Sequence, residues 1–161
     1  MPTLTHVAPE GGVQMVDITE KSETVRTAVA SGRVVLGSVA FRAVTDNAVR
    51  KGDVLGIAQI AGIMGAKETS RLIPLCHQLQ LSGIGLELSL DDESSSVEVR
   101  AFAKSVGSTG VEMEALTAVS IACLTIYDMC KSISKGIEIQ VIHLLAKTGG
   151  QGGDYRKPDA G

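Results

Sequence analysis

At 161 residues the chain has room for one domain with a substantial core. A net charge of −3, two Phe, two Tyr and no Trp argue against nucleic acid and anionic membranes, which call for cationic surfaces and, for single strands, stacking platforms. No window reaches the ~18 apolar residues of a membrane span, and no basic-then-apolar leader opens the chain, so a cytoplasmic protein is expected.

Residues 1–14, with Pro2, Pro9 and Gly11-Gly12, read as a flexible arm ahead of a single domain over 15–147. Glu23 to Leu36 is rich in Thr, Val and Ala and predicts an edge or dimer-forming strand. Ser38 can cap a short helix through Ala48, and Asp53 a second from Val54 to about Thr69. Pro74 then enforces extended backbone before Leu75-Cys76-His77.

Leu81–Leu90 alternates in its second half, and Val97–Lys104 alternates throughout, predicting an antiparallel pair across the polar turn 91–96. Val111 to Lys131 is the longest helical run, about 30 Å at helical rise, and Ile137–Leu145 is a last strand. Residues 148–161 form a Gly-rich tail expected to be flexible. The order β-α-α-β-β-α-β, with its first two helices counted as one crossover, predicts an α+β, split-βαβ, ferredoxin-like sheet with helices on one face. Its other face needs cover, as does the positive mean hydropathy of +0.22, so an oligomer is expected.

Three widely spaced cysteines, Cys76, Cys123 and Cys130, do not make a disulfide framework. Cys76 and His77 are adjacent in extended chain and point to opposite faces, so they are not a nucleophile–base pair. No second Cys or His stands at zinc-ligand spacing. His77 is a structural histidine or a substrate contact. Lys51 precedes a helix start and can reach a phosphate there, or be a solvated loop lysine. Lys67 and Arg71 complement a helix C-terminus, Glu112 and Glu114 a helix N-terminus. Lys147 opens a Gly-rich stretch that lacks the phosphate-loop pattern. Asp128 and Lys131, at i and i+3, share a helix face; they form a helix-end ion pair or an acid–base pair.

Met15-Val-Asp-Ile18, Lys51-Gly-Asp-Val54, Ala61-Gly-Ile63 with Ala66-Lys67, Leu72-Ile-Pro-Leu-Cys-His77, Gly110-Val-Glu-Met-Glu-Ala-Leu-Thr117, Leu124-Thr-Ile-Tyr-Asp-Met-Cys-Lys131 and Leu144-Leu-Ala-Lys147 occur in one order. Together, from about Met15 to Asp154, they resemble the molybdenum cofactor biosynthesis protein C family. The resemblance implies a lyase that converts a cyclised dihydro-GTP to cyclic pyranopterin monophosphate and releases diphosphate. It implies a homohexamer, a trimer of dimers, with the active site at a subunit interface. Asp128, Lys131 and Lys51 match its catalytic positions. Leu75, Cys76, His77, Met113 and Glu114 match its substrate-contacting segments, and Arg26, Glu112, Lys147 and Lys67 further pocket positions. Gln78 departs from the family's frequent Pro. No cofactor is required on this resemblance, with Mg²⁺ beside the triphosphate left open. Lys131 is expected to be partly desolvated, with a lowered pKa. A non-catalytic nucleotide-binding module on the same fold is the rival expectation; it would not need Asp128 beside Lys131.

Overall fold

The computed structural model describes residues 11–158; residues 1–10 of the expected arm and 159–161 of the expected tail lie outside it. In chain order the elements are β1 (Thr24–Val35), α1 (Ser38–Thr45), α2 (Val54–Lys67), α3 (Thr69–Leu72), β2 (Leu81–Asp91), β3 (Ser96–Gly107), α4 (Glu112–Cys130), β4 (Glu138–Thr148) and β5 (Tyr155–Arg156). The strands form one antiparallel sheet in the order β2-β3-β1-β4-β5.

Two expectations change here. The segment read as an edge strand, β1, is central, bonded along its length to β3 on one side and β4 on the other. Its small residues explain the position. Arg26, Ala28, Ala30, Gly32 and Val34 face the helices and are buried. A Cβ at Gly32 would lie 2.7 Å from Val119 Cγ1, so α4 packs on a strip with almost no side-chain height. Within the Gly-rich region, Tyr155 and Arg156 pair with Lys147 and Ala146, adding a fifth strand that the composition did not announce.

The helix starts follow local chemistry. Asp53 caps α2, its carboxylate accepting from the Gly56 N–H at 3.0 Å. Ser38, expected as a cap, is instead the first residue of α1; Gly37, at φ 74°, turns the chain into the helix without a side-chain cap. The second helix breaks at Glu68, and the single turn of α3 follows.

The core is aliphatic, with Leu36, Val34, Val97, Val99, Val119 and Ile126 fully buried between sheet and helices. All three cysteines are free, and Cys123 and Cys130 are buried within it. At 19 residues and mean hydropathy 1.4, α4 meets the length and composition of a membrane span, contrary to the sequence expectation. Its apolar residues are spent on the fold: ten of the helix's residues are buried against its neighbours.

Close approach of α2 to α4 depends on glycine. A Cβ at Gly62 would come within 2.9 Å of the Ala118 carbonyl oxygen, and one at Gly65 within 2.9 Å of Ile121 Cβ. Alanine favours an exposed helix by about 1 kcal/mol over glycine, but this backbone contact cannot yield. Gly62→Ala is therefore expected to destabilise by about 1–3 kcal/mol. A denaturation midpoint at or above wild type would contradict the close contact.

Among the described residues the opposite face of the sheet carries exposed apolar side chains. Val25, Phe102 and Val106 are exposed there, and Val29 pairs with Phe102 across β1 and β3.

Candidate active site

The candidate residues fall into two groups at opposite ends of α4. At its C-terminal end, Asp128 receives two ammonium groups. Lys51 Nζ donates to its Oδ2 at 2.7 Å and to its main-chain carbonyl at 2.7 Å. Lys131 Nζ lies 2.6 Å from Oδ1. Sequence pattern explains the meeting: Lys131 is the i+3 neighbour on the helix, while Lys51 stands just before the Asp53 cap of α2.

Hydrogen bonds from Lys131 and then Lys51 hold the Asp128 carboxyl down to about 2. The same bond with Asp128 raises the Lys131 ammonium. This corrects the expected lowering: the lysine is about half exposed and bonded to a carboxylate, and that bond outweighs the opposing effect of burial. The cluster is thus an anion between two cations, with a net charge of +1.

Around the N-terminal end of α4 lies a cavity of about 390 Å³, lined by Leu75, Cys76, His77, Glu112, Met113 and Glu114 together with Val16, Ile18, Lys21 and Thr109. His77 Nε2 donates to the Val16 carbonyl at 2.7 Å, which fixes the ring and fastens the segment before β1. Glu114 is 4% exposed, and its Oε2 has no hydrogen-bond partner. Burial pushes its carboxyl up to about 7, with Glu112 adding repulsion. Burial, then the charge of Glu114, also raises the Cys76 thiol.

A second cavity, of about 380 Å³, adjoins the first through Lys21, Thr109 and Gly110. Polar residues dominate its lining: Ser22, Thr24, Arg26, Ser108 and Gln151, with Gly150 and Gly152 beside them. Arg26 is buried and donates from Nε to the Gly107 carbonyl at 3.2 Å. Lys147 reaches Glu112 at 3.1 Å. Lys21, Arg26 and the hydroxyl residues of this groove suit an anionic chain, whereas the first cavity offers sulfur and aliphatic walls with two carboxylates for a heterocycle bearing N–H donors.

Of the candidates, Lys67 joins neither group. It lies exposed in the last turn of α2, lines neither cavity and makes no ion pair among the described residues. Among the described residues no three His, Cys, Asp or Glu side chains gather as a metal site would need. Val16, Lys21 and Thr109 were not singled out from sequence; they sit in loops without a chemical motif, and the only signal was the Met15–Ile18 string. Glu112 and Asp128 are sixteen residues apart on one straight helix, about 24 Å at 1.5 Å per residue. Asp128, Lys131 and Lys51 line neither of these cavities.

The MoaC family profile matches residues 15–150. The chain is 59% identical over 154 residues to the cyclic pyranopterin monophosphate synthase of Salinibacter ruber, covering 96% of this chain and 91% of that protein. Against the cyclic pyranopterin monophosphate synthase of Heliobacterium modesticaldum the identity is 54%, covering 96% and 98%. It is also 51% identical to molybdenum cofactor biosynthesis protein 1 of Homo sapiens, covering 96% of this chain and 24% of that longer protein. Matched by the profile over most of its length and by these relatives over nearly all of it, the chain belongs to the MoaC family.

Proposed function

We propose that the chain is a lyase of molybdenum cofactor biosynthesis. It converts (8S)-3',8-cyclo-7,8-dihydroguanosine 5'-triphosphate to cyclic pyranopterin monophosphate with release of diphosphate. The observation that carries this reading is the identity to cyclic pyranopterin monophosphate synthases along 96% of the chain. The site chemistry agrees with it. A cavity for a heterocycle continues into a polar groove for phosphates, and a lysine–aspartate–lysine cluster can handle protons.

In this reading a sugar hydroxyl oxygen attacks the α-phosphorus, and the bond to the β-phosphate breaks as diphosphate departs. Cations beside the leaving group offset its charge. Rearrangement of the purine to a pterin moves protons but consumes no net water. Asp128, held near a pKa of 2, stays anionic and positions the two ammonium groups rather than accepting a proton. Glu114, near 7, is poised to exchange one at neutral pH. The reading calls for no resident cofactor; Mg²⁺ would come with the triphosphate.

The site is shared between copies. Support comes from the length of α4, which keeps Asp128, Lys131 and Lys51 away from His77 and Glu114 of the same chain. A two-fold pair would bring the C-terminal end of one α4 to the N-terminal end of its partner. The sheet face on which Val25, Phe102 and Val106 are exposed supplies apolar area for association, in keeping with a homohexamer. The strand order β2-β3-β1-β4, with each crossover skipping one strand, supports a ferredoxin-like single domain over residues 15–147. A cytoplasmic location fits free cysteines in a reducing compartment.

Incubating the purified protein with the cyclised triphosphate tests the reading, by diphosphate release and the fluorescence of the oxidised pterin. Wild type should form both products. Asp128→Asn and Lys131→Ala should each lose about 10²–10⁴-fold in turnover while keeping the wild-type oligomer. Near-normal turnover in both variants would remove the cluster from the chemistry. No product from wild type would favour a nucleotide-binding module.

A further inference from the structure

We infer that Lys21 is a phosphate-binding residue of this site, placed where the heterocycle cavity passes into the phosphate groove, and that it helps select a polyphosphate chain. The inference rests on the lyase reading for its ligand class. Three adjoining cavities meet at this one side chain. Lys21 lines the cavity of about 390 Å³ that holds His77 and Glu114, the groove of about 380 Å³ that holds Arg26, and a third hollow of about 360 Å³ with Asp17, Glu20 and Gln151. No other charged residue lines all three.

Its backbone is fastened on both sides, so the position is built rather than incidental. The Lys21 N–H donates to the Ile18 carbonyl at 3.0 Å, and its own carbonyl accepts from Ser108 Oγ at 2.9 Å. The turn before it is tied by Asp17, which accepts from the Thr19 N–H at 2.8 Å and from its hydroxyl at 2.6 Å. Upstream, Val16 is held by His77. The anchored segment therefore places one long, partly buried lysine side chain in the lining of both cavities.

The charge balance shows what that ammonium is for. Lys147 is already paired with Glu112, and Asp17 is engaged by Thr19. Among the described residues Lys21 forms no ion pair, nor does Arg26, whose Nε is taken by a backbone carbonyl. The acids near Lys21 are Asp17, Glu20, Glu112 and Glu114, and none lies within ion-pair distance of it. A partly buried cation is tolerated best with a counter-charge. A phosphate chain running from the first cavity into the groove would supply that charge at the junction, where the α- and β-phosphates sit if the heterocycle fills the first cavity. A lysine bonding both phosphates equally before and during reaction contributes chiefly to KM.

Sodium tripolyphosphate, titrated calorimetrically into the full-length protein, reads the site without turnover. Wild type is expected to bind it. Lys21→Gln should weaken binding about tenfold, the loss of one charge-assisted contact, and Lys21→Arg should retain it within about threefold. With the cyclised triphosphate as substrate, KM of Lys21→Gln should rise by a similar factor, with most of the loss in KM rather than kcat. Should Lys21→Gln fail to fold, Lys21→Met carries the same comparison. Tripolyphosphate binding to the neutral variant as tightly as to wild type overturns the inference, as does absence of binding to wild type. Wild type that binds tripolyphosphate through Lys21 yet forms no pterin supports this inference and overturns the lyase reading.

Discussion

Co-expression of a His77→Ala chain with an Asp128→Asn chain, each nearly inactive alone, is expected to restore roughly a quarter of the wild-type turnover. The figure follows from the two ends of α4. His77 lines the cavity at the N-terminal end, and Asp128 belongs to the lysine cluster at the C-terminal end, on a helix of 19 residues. In a two-fold pair built from one chain of each kind, one shared site collects both lesions and the other collects neither. Random pairing makes about half of the pairs mixed, and half of their sites are intact, hence the quarter. A site contained within one chain gives a different result, because every site then carries one lesion. Differently tagged chains, co-purified to prove mixing and assayed for diphosphate, decide between the two. Mixed assemblies with no recovered turnover would sink the shared site.

Glu114→Gln should stabilise the protein at alkaline pH and leave it unchanged at acid pH. Burial pushes the Glu114 carboxyl up to about 7, against 4.5 in an unfolded chain. Between those values the native state holds a proton that the unfolded state has shed, so stability falls as pH rises across that window. Above it the native protein carries a buried carboxylate with one unbonded oxygen, costing at most about 3 kcal/mol at 1.36 kcal/mol per pKa unit. Glutamine keeps the shape and removes the charge. Its melting temperature should match wild type at pH 4, below both values, and exceed it by roughly 5–10 °C at pH 8, at a few degrees per kcal/mol. Parallel pH curves for the two proteins would show that Glu114 is not held as a buried acid. The same variant should lose turnover, since the group that titrates near neutrality is gone.

Much of the framework was legible because its periods are clean. Alternation in β2 and β3 and the apolar run of α4 gave strands and a helix whose ends shift by a few residues. Asp53 as a cap was readable because the chemistry is local. What sequence did not convey was height and neighbourhood. The Thr, Val and Ala of the β1 segment suggested an edge or dimer-forming strand, yet the smallness of Ala28, Ala30 and Gly32 lets β1 lie centrally beneath α4. Two paired residues, Tyr155 and Arg156, are too few to leave a period. In the site, residue types suggested which side chains to follow, but Lys21 belongs to no motif and became visible only once three cavities met at it. The direction of the Lys131 shift was missed for a related reason. Partial desolvation was expected to dominate, whereas the i+3 carboxylate outweighs it. The separation of the two residue groups could have been counted from sequence, since Glu112 and Asp128 ride the same helix.

The glycine contact between α2 and α4 has a consequence beyond packing. Gly62 and Gly65 meet α4 at Ala118 and Ile121, near the middle of the helix. With sites shared in the way proposed, each α4 is a stiff rod with one tip in each of two reaction centres, and this contact is its fulcrum. A substitution there is remote from every substrate atom yet tilts both tips at once. Lesions at Gly62 or Gly65 would then not be complemented by an intact partner, because one altered chain spoils two centres.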